Sequence, residues 1–509
     1  MKKDEILHSL EYIDADLIQA ADALPKKKPI RPYWYAAVAA ILVLAIALPI
    51  VLNGLSKPAD LPHIDSTPTV PPMVLPNWTD ETVPIGGPTL VPLSMVEPRY
   101  PEMVPCPNYA DYSNRTQYHM DYAVWNANQK EQYDQPMGYA NSLTSFFQTS
   151  ITQFLQGEGN PTYSPVNVYL AMAMLAETAH GNSRKQILDL FGLDTIDQLR
   201  AQATYVWNAH YCNDKRTTLK LNNSLWLDDA YTFKQATADR LAETYYASSF
   251  SGDLSTDEAN QKLRAWLNQN TAGLLQEQAK KVEFSKDPKT VFALASTIYF
   301  SAAWEDEFNK SLTKDATFHS LQGDRIVPFM NKKLSQYNGY WGENFFAVSL
   351  KLSGNNKMWL ILPDEGHTVE EILKSNAYLQ MTMHPDTWED KRNYDEINLS
   401  LPKFNVTSQQ DLIAGMKAMG VTDVFDTRTS DFSSLTDKPL VCVSQINHAA
   451  RVSIDETGCF GAAFTVIEAP GYAAPIEKEI IDFVLDRPFL FVVSSRDNLP
   501  LFAGIVNEP

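Results

Sequence analysis

Asp455-Glu456-Thr457-Gly458-Cys459-Phe460-Gly461-Ala462-Ala463-Phe464-Thr465 makes an odd strand. Side chains alternate across a strand. One face is therefore Cys459, Gly461, Ala463, Thr465 and Ile467, all small or apolar and none charged. The other face carries Phe460, Ala462, Phe464 and Val466. Gly and Ala form ordinary strands poorly. A strand this thin on one side suits a segment that slides into a tight gap between strands already in place.

The chain around it has 509 residues and is 44% hydrophobic and 11% aromatic, enough for a large core. A net charge of -19 argues against binding nucleic acid through its phosphates. Four cysteines, Cys106, Cys212, Cys442 and Cys459, are scattered without CxxC or Cys/His spacing, so neither a metal nor a cofactor is expected and the thiols read as mostly free. The nine histidines form no HExxH pair. No GxSxG elbow, P-loop or GxGxxG appears, so an enzyme is not expected.

Residues 1–32 precede the first long apolar run. In the early part Ile6, Leu10, Ile13, Leu17, Ala20 and Leu24 recur at helical steps. Lys26-Lys27-Lys28 and Arg31 follow, then Tyr33-Trp34-Tyr35 and an uncharged run to Leu52. Residues 33–52 are about 20 positions, long enough to cross a bilayer, with aromatics at one end. The basic cluster before the span places the N-terminus in the cytoplasm and the bulk outside. The span starts too late, and ends too unlike a cleavage site, for a signal peptide. Residues 53–107 are Pro-rich and read as an extended extracellular linker. Residues 108–135 are polar and Tyr-rich and carry no assignment. The domain proper is expected over 136–509, opening with a helix whose face is Leu143, Phe147, Ile151 and Phe154. Ala259–Leu275 has a helical pattern, and Lys357–Leu362 reads as a buried strand ending at Pro363. Long helices first and strands later suit an α+β domain with a large sheet.

Several stretches in this domain fall in one recognisable order. They are Tyr163-Ser164-Pro165-Val166-Asn167, Gly181-Asn182-Ser183, Thr290-Val291-Phe292-Ala293-Leu294 with Trp304, Leu360-Ile361-Leu362-Pro363, Leu401-Pro402-Lys403-Phe404, Asp431-Phe432-Ser433, Asp486-Arg487-Pro488-Phe489, and the closing Leu501–Pro509. In order and spacing the chain resembles the serpins over roughly residues 136–509.

The resemblance implies a serpin fold. Such a fold has a large central mixed β-sheet, further smaller sheets, surrounding helices and an exposed reactive-centre loop. It implies a suicide inhibitor. A protease attacks the loop and forms an acyl-enzyme, and the cut arm then inserts as a new strand. The hinge residues would be Glu456, Gly458, Cys459, Gly461, Ala462, Ala463 and Thr465, with Cys459 and Phe460 standing where Thr and Glu are common. Counting forward from Glu456 puts the reactive bond at Tyr472-Ala473, while counting back from Pro488 puts it about five residues later, near Glu477-Lys478. Tyr472 suits chymotrypsin- or subtilisin-like serine proteases, and its small neighbours suit some cysteine proteases. A sheet-opening cluster would comprise Ser164, Asn167, Ser296 and His448, in which Asn and Ser have traded their usual places. The implied partner is a target protease in covalent complex, bound by a monomer anchored through 33–52. The alternative is a serpin fold used only for surface binding or adhesion.

Overall fold

Ser164 follows a short strand and takes the N-cap position of a helix that is buried along nearly its whole length, and the two sheets formed by the described residues are built around that helix. The computed structural model describes Pro98, Tyr100, Cys106, Pro107 and residues 109–213, 217–286, 290–459 and 479–509. The segments 1–32 and 33–52 and most of the linker lie outside the described residues. Among those described, no helix is long and apolar enough to cross a membrane.

The helices α1 (Arg115–Tyr133), α2 (Leu143–Phe154), α3 (Pro165–Thr178), α4 (Gly181–Leu190), α5 (Ile196–His210), α6 (Gln235–Tyr245), α7 (Asp257–Asn270) and α8 (Gln276–Ala279) come first. Phe147, Ile151 and Phe154 are buried on α2, the face its spacing implies. α3 starts on Pro165, whose missing N–H costs nothing at a helix start. The previously unassigned stretch contains α1, which docks on α5. Gln132 Nε2 donates to the carbonyls of Asn208 at 3.1 Å and Tyr211 at 2.9 Å, and so caps the end of α5. Upstream, the Tyr100 ring stacks with Tyr211 and Tyr246 beside Trp207. The helical pattern of 259–275 stops early: α7 ends at Asn270, because Ala272 and Gly273 take left-handed conformations at φ 49° and 74°.

The strands are β1 (Thr162–Tyr163), β2 (Cys212–Asn213), β3 (Thr217–Asp228), β4 (Ala247–Gly252), β5 (Phe292–Ala303), β6 (Lys314–Ser320), β7 (Gly323–Trp341), β8 (Phe345–Leu352), β9 (Asn356–Pro363), β10 (Lys391–Pro402), β11 (Phe404–Asp411), β12 (Asn447–Ile454), β13 (Gly458–Cys459), β14 (Ile480–Val484), β15 (Phe489–Ser494) and β16 (Pro500–Val506). Three further helices, α9 (Val369–Ser375), α10 (Ala377–Met383) and α11 (Ile413–Ala418), lie among them.

Among the described residues these strands form two sheets. The central sheet runs β11-β12-β13-β5-β3-β2, with β4 on β3. It is mixed, since β4 is parallel to β3 and the other pairs are antiparallel. The second runs β1-β16-β15-β9-β8-β7-β10-β14, with β6 on β7. The smaller sheets implied above are thus one continuous nine-stranded sheet. The cause is β7, whose 19 residues pair with β6 and β10 and then, at Tyr340 and Trp341, with β8. It bends at Gln336, where φ is 49°. The helix α3 packs between the sheets. On the outer side of the central sheet α7 is held by a separate apolar cluster of Trp226, Leu254, Ala259, Leu263 and Phe284, packed on Ala293 and Ala295 of β5.

Candidate functional site: a strand-wide cleft in the central sheet

β12 leads upward to a tight turn, and β13 turns back down between β12 and β5. The turn is organised by Asp455, whose Oδ1 accepts from the backbone N–H of Thr457 at 2.8 Å and of Gly458 at 3.3 Å. β13 pairs on both sides, Cys459 with Ile454 of β12, and Gly458 and Cys459 with Ala303 and Ala302 of β5. The fit needs glycine. A Cβ on Gly458 would overlap the Ala302 carbonyl oxygen and the Ala303 Cα. Cys459 is fully buried, and that burial pushes its thiol pKa up.

The turn is tied to its surroundings by backbone and charge. Trp304 Nε1 donates to the Asp455 carbonyl at 2.8 Å, and the Trp304 and Phe308 N–H groups donate to the carbonyls of Thr457 and Glu456 at 3.0 and 2.9 Å. The Glu456 carboxylate is buried and accepts from Lys403 Nζ at 2.9 Å and from Thr313 Oγ1 at 2.8 Å. Burial alone would raise its pKa, yet the Lys403 and Thr313 hydrogen bonds outweigh it and hold the carboxyl below its usual range.

Below Cys459 the two flanking strands part company. β5 pairs with β3 on its far side and β12 with β11 on its far side. Among the described residues their facing edges, from Phe292 to Ser301 and from Asn447 to Ser453, have no strand partner. A cavity of ≈ 270 Å³ occupies the lower part of this gap, lined by residues 293–298 of β5 and 447–449 of β12, with Asn167 on the α3 side and Leu263 and Leu267 on the α7 side.

The four polar residues singled out in the sequence sit here as two bonded pairs. Ser164 donates its backbone N–H to His448 Nε2 at 3.1 Å, and its hydroxyl to the Leu501 carbonyl at 2.7 Å. Ser296 Oγ donates to Asn167 Oδ1 at 2.7 Å, and Asn167 Nδ2 donates back to the Ser296 carbonyl at 3.5 Å. One pair thus joins the head of α3 to β12, and the other joins α3 to β5. His448 accepts at Nε2 and is neutral, since burial pulls its pKa down to about 4.

The chain re-enters at Glu479, whose backbone bonds Asp395 and Glu396, and continues as β14 parallel to β10. Gly461, Ala462, Ala463, Thr465 and the bond Tyr472-Ala473 lie outside the described residues. Of the hinge residues the structure therefore places Glu456, Gly458 and Cys459. Sequence reading missed Lys403, Thr313 and Trp304 as partners of the turn. Lys403 and Trp304 lie in stretches that resemble the family, but nothing local marks the contact of Lys403 to a carboxylate 53 positions away.

Comparison with known proteins bears on this arrangement. The family described as Serpin (serine protease inhibitor) matches residues 142–509. Among curated relatives, Serpin-ZX of Arabidopsis thaliana is 27% identical over 368 residues, covering 69% of this chain and 92% of its own. Alpha-1-antiproteinase of Bos taurus is 28% identical over 377 residues, covering 71% and 86%. Among solved structures, the thermophilic serpin tengpin in its native state superposes with a TM-score of 0.65 at 23% identity, covering 74% of this chain and 95% of its own. Human thyroxine-binding globulin superposes with a TM-score of 0.62 at 22% identity, covering 74% and 99%.

Proposed function

Because the chain belongs to the serpin family, we propose that it traps proteases by inserting its cut reactive loop into the cleft between β5 and β12. The observation that carries this reading is β13, already paired to both walls at the head of the gap. Continuing its register downward sets Phe460 opposite Ser301 and Ala469 opposite Phe292, so ten further residues match the open edge of β5. The same continuation sets Thr465 between Ser296 and His448. Even-numbered residues of β5 such as Ile298 and Phe300 are buried, so the arm's inward side would be Gly461, Ala463, Thr465 and Ile467. Side chains this small enter a closing sheet without a buried charge.

The chemistry is the protease's. Its nucleophile adds to the Tyr472 carbonyl, the bond to Ala473 breaks, and the amine of Ala473 leaves. Tyr472 stays esterified to the enzyme. Insertion then carries the acyl-enzyme away before water reaches it. Large apolar Tyr472 suits chymotrypsin- or subtilisin-like serine proteases, and cysteine proteases that accept it. Relatives named antiproteinase support inhibition. The chain itself supplies no catalytic residue in this scheme, and it acts as a monomer. Residues 33–52 anchor it in a membrane, with 1–32 inside and the Pro-rich linker holding the inhibitor outside.

A second reading has specific support. Cys459 and Phe460 are unusual hinge residues, and the fold is shared with a globulin crystallised as a thyroxine complex. In that reading the protein binds without trapping. Incubating the full chain in mild detergent with chymotrypsin, subtilisin and papain separates the two. Trapping yields a complex that survives a denaturing gel, and sequencing the released fragment locates the bond. Cleavage of the loop by fully active proteases overturns the inhibitor reading.

A further inference from the structure

β14 lies parallel to β10, with Ile480 to Val484 paired to Glu396 to Ser400. Asn398 Nδ2 adds a side-chain bond to Asp482 Oδ1 at 2.8 Å. The attachment begins one residue earlier, at Glu479, and there a side chain makes it. Asp395 Oδ2 accepts from the Glu479 backbone N–H at 2.8 Å. The Asp395 and Glu396 N–H groups donate to the Glu479 carbonyl at 3.1 and 3.4 Å. Both backbone groups of Glu479 are thus engaged.

The place of Asp395 follows from the neighbouring strand. β10 pairs with β7 at Tyr394 and at Glu396, but the ladder skips Asp395. Opposite it Gln336 takes a left-handed conformation at φ 49°. Gln336 Nε2 donates to Asp395 Oδ1 at 2.7 Å. One carboxylate oxygen is therefore fixed by Gln336 while the other holds Glu479. A hydrogen bond to a charged acceptor is stronger than one between neutral groups.

The Glu479 nitrogen is also one half of the Lys478-Glu479 peptide bond. Lys478 is the only Lys or Arg between Glu456 and Arg487, so this is the bond in that stretch that a trypsin-like protease would seek. Attack on the Lys478 carbonyl breaks the bond to the Glu479 nitrogen, which takes a proton from the protease and leaves as the amine. The protease also pairs its substrate as an extended strand, through backbone groups on both sides of the bond. Those of Glu479 are already held by Asp395 and Glu396. The Glu477-Lys478 bond has only Lys478 between it and the held residue, whereas Tyr472-Ala473 has six residues, Ala473 to Lys478.

We propose that Asp395 is a specificity-determining residue: by clamping Glu479 it closes the two bonds flanking Lys478 to proteases and leaves Tyr472-Ala473 as the bait. The bait assignment rests on the trapping reading. An arm cut at Lys478 would be six residues longer than one cut at Tyr472. Its insertion would draw the protease in later, water would release the acyl-enzyme first, and the inhibitor would be consumed without effect. The clamp thus keeps trypsin-like enzymes from wasting the loop.

The test incubates the full chain in mild detergent with trypsin and follows, by mass spectrometry, the peptide that begins at Glu479. It should appear slowly from the parent chain and roughly tenfold faster from Asp395→Ala, because cutting tracks the unclamped fraction. Asp395→Asn keeps an acceptor oxygen and should stay near the parental rate. Gln336→Ala frees the other carboxylate oxygen without touching Glu479 and should give a smaller acceleration. Parental rates in Asp395→Ala and Gln336→Ala overturn the clamp. So does an equal acceleration of cutting after Lys403, between β10 and β11, which marks general unfolding. Chymotrypsin separates the two readings. A parent chain that forms no complex with it, while Asp395→Ala still opens Lys478, overturns trapping and the bait assignment but supports the clamp.

Discussion

Lys403 Nζ meets the Glu456 carboxylate at 2.9 Å, joining the residue between β10 and β11 to the turn that launches the hinge. The pair is unequal, with 34% of the Lys403 side chain exposed and 8% of that of Glu456. Water screens the lysine, so the pair is worth less than a fully buried one. Glu456→Gln should lower stability by about 1–2 kcal/mol in urea titrations. The Glu456 pKa is lowered in the fold, so its contribution is present above the ordinary glutamate value and lost as pH falls below it. In the variant that acidic slope should shrink; an unchanged slope assigns it to other groups.

Gly458→Ala should expel the hinge, because the added methyl meets the Ala302 carbonyl in β5. Cys459 reports the outcome. Buried and fully protonated, it should label slowly with a thiol reagent in the parent chain and rapidly in the variant, as read by mass spectrometry of the peptide. Slow labelling in both means the sheet accommodates the methyl.

His448 predicts acid sensitivity. Its pKa falls from an ordinary 6.5 to about 4 on burial. A depressed histidine contributes stability that is fully present above about 6.5 and lost as pH falls toward 4, by about 3 kcal/mol at most. His448→Gln keeps an acceptor for the Ser164 N–H without a titrating ring. Denaturation between pH 7 and 4.5 should show a shallower decline for this variant than for its parent.

Thr465→Arg tests the register. A guanidinium arriving between Ser296 and His448 would be buried without a counter-charge, at a cost of several kcal/mol. Proteases should cut this variant without being trapped, and its cut form should melt close to its intact form. A parent chain cut at the same bond should melt far higher. Trapping by Thr465→Arg at parental efficiency would place another residue at that level.

Much of this architecture was legible because the constraints are local. The small face from Cys459 to Ile467 reports a gap before any gap is seen, and Pro363 and the apolar run before it report a buried strand. The exchange of Asn and Ser at 167 and 296 could be suspected from the chain, and the two residues do bond each other. Their separation from the Ser164–His448 pair could not, because Ser164 uses its backbone N–H for the ring and its hydroxyl for Leu501. The hold of Arg451 and Gln409 on the chain that follows α7 was invisible for the same reason. Its partners are the carbonyls of Leu274 and Gln278, and every residue carries a carbonyl. The end of α7 was misjudged at Leu275 because Ala272 reads as a helix former and in fact adopts φ 49°.

The two residues of β13 also bear on kinetics. In polymer terms they are a preformed nucleus for the proposed trapping: the paired ends would already be closed before any protease arrives. In that reading an arm released below Cys459 would have no diffusive search to make and no register to find. It would elongate from a fixed origin, one rung at a time and in one direction. Nucleation, ordinarily the improbable step of making a strand, would then belong to the folding of the chain and not to its encounter with a protease.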